Sequence, residues 1–169
     1  MYIIDIEASG LDDESYPIEL AWCALDSDDE YSSLINPDSA GDWEYWDDHA
    51  ETEIHGISRR ECCDNGENVI VVGRRLEKLL EENVVFSDAA EQDQKWIDRL
   101  FDSIGKRSPA RLMDIQQAVP FDRRGELCKR LSELSRPHRA LSDCLALRQL
   151  VHNVREQIAD GNSRNHPSD

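Results

Sequence analysis

Apolar and polar side chains alternate along the first part of the chain with a period of two. Tyr2 to Ile6 is short and β-branched, which predicts a strand. Ala8-Ser9-Gly10 then turns the chain, and Asp12-Asp13-Glu14 extends an exposed loop. From Pro17 to Leu25, Ile18, Leu20, Trp22 and Ala24 interleave with Glu19, Ala21 and Cys23, which predicts a second strand. A charged hairpin turn over Asp26 to Glu30 leads into a third strand at Tyr31 to Ile35, ended by Asn36-Pro37.

Beyond residue 38 the period changes. Residues 38–66 are acidic and irregular, with short helices expected around 48–54 and 58–64. From Val69 onward, Val72, Leu76, Leu79 and Leu80 recur at helical spacing. Asn83 to Phe86 reads as a short buried strand. Trp96, Ile97, Leu100, Phe101 and Ile104 share one face of a helix over Gln92 to Ile104. Ala110 to Ile115 is a further strand, and Glu126 to Leu134 and Ala140 to Ile158 are amphipathic helices. Residues 159–169 read as a flexible polar tail. Three strands in succession predict antiparallel hairpins, and strands alternating with helices predict parallel additions. The expected fold class is therefore α/β: a mixed five-stranded sheet, three antiparallel strands plus parallel ones, flanked by helices. No repeat or long linker interrupts it, so residues 1–158 read as one domain.

Composition narrows the classes. No apolar run is long enough to span a membrane, and the N-terminus lacks a basic stretch followed by an apolar one. The five cysteines are odd in number, irregularly spaced and without a Cys-x-x-Cys pair, so they read as reduced thiols rather than a zinc or disulfide framework. The expected location is the cytoplasm. The net charge of −17 is unevenly spread. Residues 1–94 hold 26 acidic and 5 basic side chains; residues 95–169 hold 10 acidic and 14 basic ones. Lys106, Arg107, Arg111, Arg123, Arg124, Lys129, Arg130, Arg136 and Arg139 form a basic set compatible with a phosphate-binding face, or with an ordinary solvated surface.

Asp5 and Glu7, two apart on a strand, point to one face, while Ile4 and Ile6 point to the other. Two carboxylates on a buried face repel each other and resist desolvation, a penalty that a bound cation removes. Alone, such a pair also fits an exposed edge strand. Asp93 opens the helix after the 83–86 strand, with Asp88 and Glu91 as competitors for the same place. His138 and Asp143 stand five apart, roughly 140° around a continuous helix. Pro137 disfavours helix before it, which puts His138 in a loop or first turn above Asp143.

Together these residues carry a resemblance. Asp5-Ile6-Glu7-Ala8-Ser9-Gly10-Leu11 and His138-Arg139-Ala140-Leu141-Ser142-Asp143 resemble the first and third motifs of the DEDDh 3′–5′ exonucleases of the ribonuclease H-like fold. The second motif departs from that family's His-Asn-x-x-Phe-Asp string, since the corresponding stretch is Ser87-Asp88-Ala89-Ala90-Glu91-Gln92-Asp93. Ile54-His55-Gly56-Ile57 is similar to the stretch lining the family's terminal-base pocket. The resemblance implies that Asp5, Glu7, Asp93 and Asp143 hold two Mg²⁺ or Mn²⁺ ions. It also implies that His138 is the general base, and that the product is a nucleoside 5′-monophosphate. Ala8, Ser9, Gly10, Leu11 and His55 would contact the terminal nucleotide. Trp43 and Trp46 read either as base-stacking or as packed aromatics. The acidic first part favours 3′ ends of short or single-stranded RNA or DNA over long duplex, with Arg123, Arg124, Lys129 and Arg130 guiding the strand. The helix at 122–135 fits a monomer or a homodimer. Other readings of the same residues are an inactive module of this fold that binds nucleic acid or a partner, and an acidic interaction protein.

Overall fold

The computed structural model describes residues 1–162, with side chains through Glu156. The chain opens with β1 (Tyr2–Ala8), β2 (Pro17–Ala24) and β3 (Glu30–Asn36). A short helix α1 (Asp48–Ala50) runs on as a wide π turn over Glu51–His55, and α2 (Arg59–Asn65) follows. Then come β4 (Glu67–Asn68), α3 (Val69–Glu82), β5 (Val85–Ser87), α4 (Ala90–Ser103) and β6 (Met113–Asp114). Two 3₁₀ turns lead to α5 (Arg124–Glu133), and α6 (Ala140–Asn162) ends the described chain. The tail expected over 159–169 lies outside the described residues from 163 on, and residues 159–162 continue α6.

The strands lie in the order β4-β3-β2-β1-β5-β6. The first three form the expected antiparallel meander. β5 joins β1 in parallel and β6 joins β5 in parallel. The mixed α/β sheet flanked by helices is as expected, but it has six strands rather than five. The extra one, β4, is two residues long and pairs in parallel with the end of β3, Ile35 opposite Glu67. No alternating pattern marks it, because two residues are too few to show one and the strand pairing itself is made by backbone. Gly66 makes the approach possible: a β-carbon there would lie 2.4 Å from the Cys62 carbonyl oxygen and 2.5 Å from the Asn36 nitrogen. β6 is likewise shorter than the 110–115 run suggests.

Local signals account for several boundaries. Ser58 accepts the Glu61 amide at 3.1 Å and starts α2, and Asn68 accepts the Ile70 amide at 2.9 Å and starts α3. Gly56, at φ 67°, ends the π turn in the left-handed region.

The sheet is covered on both faces. Ile4, Ile6, Leu20 and Trp22 pack with Val72 and Leu76 of α3 and with Trp96, Ile97 and Leu100 of α4. Ile3, Ala21, Cys23 and Phe86 pack with Ala140, Cys144, Leu147 and Val151 of α6. All eight residues of β2 are buried. Strand alternation therefore puts Asp5 and Glu7 on the α6 face, in line with Ile3. They lie at the carboxyl end of β1, where open α/β sheets place their sites. No described helix is long and apolar enough to cross a membrane.

Candidate active site

Four elements deliver side chains to one cleft. β1 supplies Asp5 and Glu7, the segment after β5 supplies Asp88, α4 supplies Asp93, and α6 with its preceding loop supplies Asp143, His138 and Arg136. Ala8, Gly10, Leu11, Ala50, Ile54, His55 and Trp96 complete the lining. Asp5, Glu7, Asp93 and Asp143 are all buried. One ligand-capable atom each from Glu7, His138 and Asp143 lies within 4.8 Å of the other two.

Every one of the four carboxyls is harder to ionise than usual. Burial raises Asp5 well above its ordinary value, and Asp93, Glu7, Asp143 and Asp88 add repulsion in that order. Burial pushes Glu7 up to about 7, helped by Asp143, Glu19 and Asp93 and opposed by Arg136. Asp93 is pushed up to about 7, again mainly by burial, although the Ser87 hydroxyl donates to it at 2.5 Å. Asp143 is raised by burial and lowered by Arg136 and His138. One Asp143 oxygen, Oδ1, is buried without a hydrogen-bond partner among the described residues. A crowded set of hard oxygen donors, one of them unbonded, fits a divalent cation better than it fits a packing role.

His138 is held by its backbone. It follows Pro137 in the loop before α6 and takes φ 54°, unusual for a non-glycine residue. The loop placement expected from Pro137 is what the fold contains, and the imidazole is exposed at the mouth of the cleft. Its neighbour Arg139 turns away and forks onto Glu19 with bonds of 2.8 to 3.3 Å. Glu19 is buried on β2, directly opposite Glu7, and also accepts the Ala140 amide at 2.9 Å. That one carboxylate thus closes the first turn of α6 and fixes where His138 and Asp143 begin. Glu19 was visible in the sequence only as an acid within an apolar strand, and its role needs the β2–α6 contact.

The remaining expected residues separate. Ala8, Gly10, Leu11 and His55 line the cleft, whereas Ser9 does not. Ser9 is fully buried; its amide donates to the Tyr16 carbonyl, and its carbonyl accepts the Asp47 amide. His55 is buried, and its Nδ1 accepts the Ile57 amide at 3.0 Å, so the proton of the neutral ring sits on Nε2. Burial lowers its pKa, and Nε2 has no hydrogen-bond partner among the described residues. Leu11, 75% exposed, and Ile54 form an apolar rim. Trp43 is core, stacked on Tyr16 at 4.9 Å, and Trp46 donates to Glu51 at 2.7 Å. The basic set is also partly spent internally. Lys106 pairs with Glu77, Arg123 and Arg130 with Glu126, Arg139 with Glu19, and Arg136 with Asp88 and Asp5.

Comparison with known proteins agrees with this geometry. The family model described as Exonuclease, that of RNase T, matches residues 2–151. No curated protein matches. Among solved structures, the E. coli exonuclease I complex with a dT13 oligonucleotide is similar with a TM-score of 0.71 at 15% identity, covering 99% of this chain and 44% of that one. The zinc-bound E. coli exonuclease I–ssDNA complex gives 0.69 at 14% identity, covering 95% and 40%. An apo exonuclease I gives 0.70 at 13% identity, covering 95% and 43%. The chain spans about two fifths of the length of these structures, and at such identity they speak for the fold alone. The fold, the motifs and the family match agree, and the chain belongs to the exonuclease family, with the DnaQ-like, ribonuclease H-like architecture that its first and third motifs suggested.

Proposed function

We propose that this chain is a metal-dependent 3′–5′ exonuclease that releases nucleoside 5′-monophosphates from the 3′ ends of single-stranded or short RNA or DNA. The carrying observation is the convergence of Asp5, Glu7, Asp93 and Asp143, all buried, in one cleft with His138 at its mouth. Two Mg²⁺ or Mn²⁺ ions held by these four carboxylates would supply Lewis-acid polarisation of the scissile phosphate and a more acidic water. Of the two second-motif candidates we assign Asp93, because Ser87 braces it and it is the strongest charged neighbour of Asp5. Asp88 is engaged by Arg136 instead.

The chain's own groups divide the remaining work. His138, exposed and pinned by its left-handed backbone, takes the proton of the attacking water. His55 offers its Nε2 proton to the terminal nucleotide, a hydrogen bond that does not require the ring to be charged. Leu11 and Ile54 pack on the last base from the rim, beside Ala8 and Gly10. Ser9 braces the turn that holds Gly10 and Leu11. Residues 1–158 act as one domain, and the free cysteines suit the reducing cytoplasm. The single-stranded DNA in the exonuclease I complexes supports a single-stranded substrate.

The test is release of mononucleotides from a 5′-labelled oligonucleotide with Mn²⁺, with Asp5→Ala as control. Stepwise shortening from the 3′ end, lost in the variant, is the expected result. No release with any divalent ion would leave a nucleic-acid-binding module of the same fold.

A further inference from the structure

Arg136 lies where the motifs give no reason for a cation. Among the described residues it is the one guanidinium lining the cleft. Its Nη2 donates to Asp88 Oδ2 at 2.6 Å, while its Nη1 stops 3.7 Å from Asp5 Oδ1, beyond hydrogen-bond range. The side chain is three-quarters buried, between Asp88 and Asp5, which are more buried still. The short bond is thus to the acid outside the proposed ligand set, and the long contact is to an acid inside it. From this geometry we infer that Arg136 is a built-in counter-ion that competes with divalent metal for Asp5 and thereby sets how tightly the site binds it. The inference rests on the metal-centre reading above.

The physics is that of one positive charge beside several crowded carboxyls. Without metal, Arg136 relieves their mutual repulsion and lets the cleft fold around them. With metal, the same charge opposes the incoming ion. The Asp88 bond tethers the guanidinium, so it can give up the loose Asp5 contact without leaving the cleft. An arginine suits this role because its fork can hold one carboxylate and present its other edge.

Mn²⁺ binding to the purified chain, followed by electron paramagnetic resonance, tests the inference without any assay of activity. A nearby charge changes a carboxylate's proton affinity by roughly 10- to 1000-fold. We therefore expect Arg136→Gln to bind Mn²⁺ at least about tenfold more tightly than the unaltered chain, and Arg136→Lys, which keeps the charge, to stay within about threefold of it. A folded Arg136→Gln that binds Mn²⁺ equally well or more weakly would overturn the inference while leaving the metal centre intact. Absence of Mn²⁺ binding to every protein would overturn the metal centre and the inference with it. Should Arg136→Gln fail to fold, the unaltered chain still decides. Its Arg136 Nε–H resonance should move on Mg²⁺ titration, and a resonance indifferent to Mg²⁺ refutes the exchange.

Discussion

Glu7 and Asp93 are pushed up to about 7 by burial, and that has a sign for stability. Between the ordinary carboxyl range and about pH 7, the folded protein holds protons that the unfolded chain has released. Metal-free stability is therefore greatest at the acid end of this window and falls as pH rises through it. Thermal melts in EDTA should show that decline between about pH 5 and pH 7, and Glu7→Gln with Asp93→Asn should flatten it. An unchanged slope in the double variant would place the effect in the overall negative charge instead. Saturating Mn²⁺ should abolish the decline, because metal replaces the protons. His138→Ala should cut kcat by roughly 10²- to 10⁴-fold, the usual contribution of a positioned general base, with KM for oligonucleotide little changed. At this scale the sequence was most legible where residues sit on one local element. Asp5 and Glu7 follow from strand alternation, and His138 follows from Pro137. Arg136 and Glu19 were not legible as site residues, since their partners lie 48 and 120 positions away, at Asp88 and Arg139.

At the scale of elements, the start of α6 matters most. Its first turn is fastened to β2 by Glu19, through Arg139 and the Ala140 amide. Arg139→Ala leaves Glu19 buried with a single donor, and we expect a loss of about 1.5–3 kcal/mol in urea unfolding, the range for hydrogen bonds to a charged group. Because the same turn aims His138 and Asp143, activity should fall by more than the lost stability accounts for. A variant with unaltered activity under fully folded conditions would show that the clamp does not position them. At the far edge of the sheet, Gly66→Ala puts a methyl group against the Cys62 carbonyl and the Asn36 amide. Crowding of this kind costs about 1–3 kcal/mol, and hydrogen exchange should show loss of protection at Glu67 and Asn68, far from the cleft.

Over the whole molecule, charge divides along the chain more cleanly than in space. The acidic first part supplies most of the cleft's carboxylates, but several of the basic residues after 95 reach back to acids of that part or pair with Glu126 nearby. The positive surface left for a substrate backbone is therefore smaller than the sequence suggests. Single strands lose binding by a log–log slope of about 0.7 per neutralised phosphate. With two or three such contacts, the log–log slope of 1/KM against salt should lie at about 1.4–2.1 in magnitude. Reversing Arg123, Arg124, Lys129 and Arg130 together should raise KM on oligonucleotides far more than on a mononucleotide ester. Equal effects on both would remove these residues from the strand's path.

The sequence alone determined what depends on neighbours within a few positions. The order of the main strands and helices, the face of Asp5 and Glu7 and the loop under His138 were all readable from local periodicity and motif. The tertiary structure decided what depends on distant backbone and on shared burial. It added β4, whose pairing uses main chain and leaves no side-chain pattern. It moved Ser9 and Trp43 out of the cleft into packing, because one buried turn uses the amide, carbonyl and hydroxyl of Ser9 and one stacked pair uses the indole of Trp43. It also turned two arginines of the basic set, Arg136 and Arg139, into counter-ions of buried acids. An alternating strand specifies which side a carboxylate faces, but only the elements packed against that side specify which cation meets it.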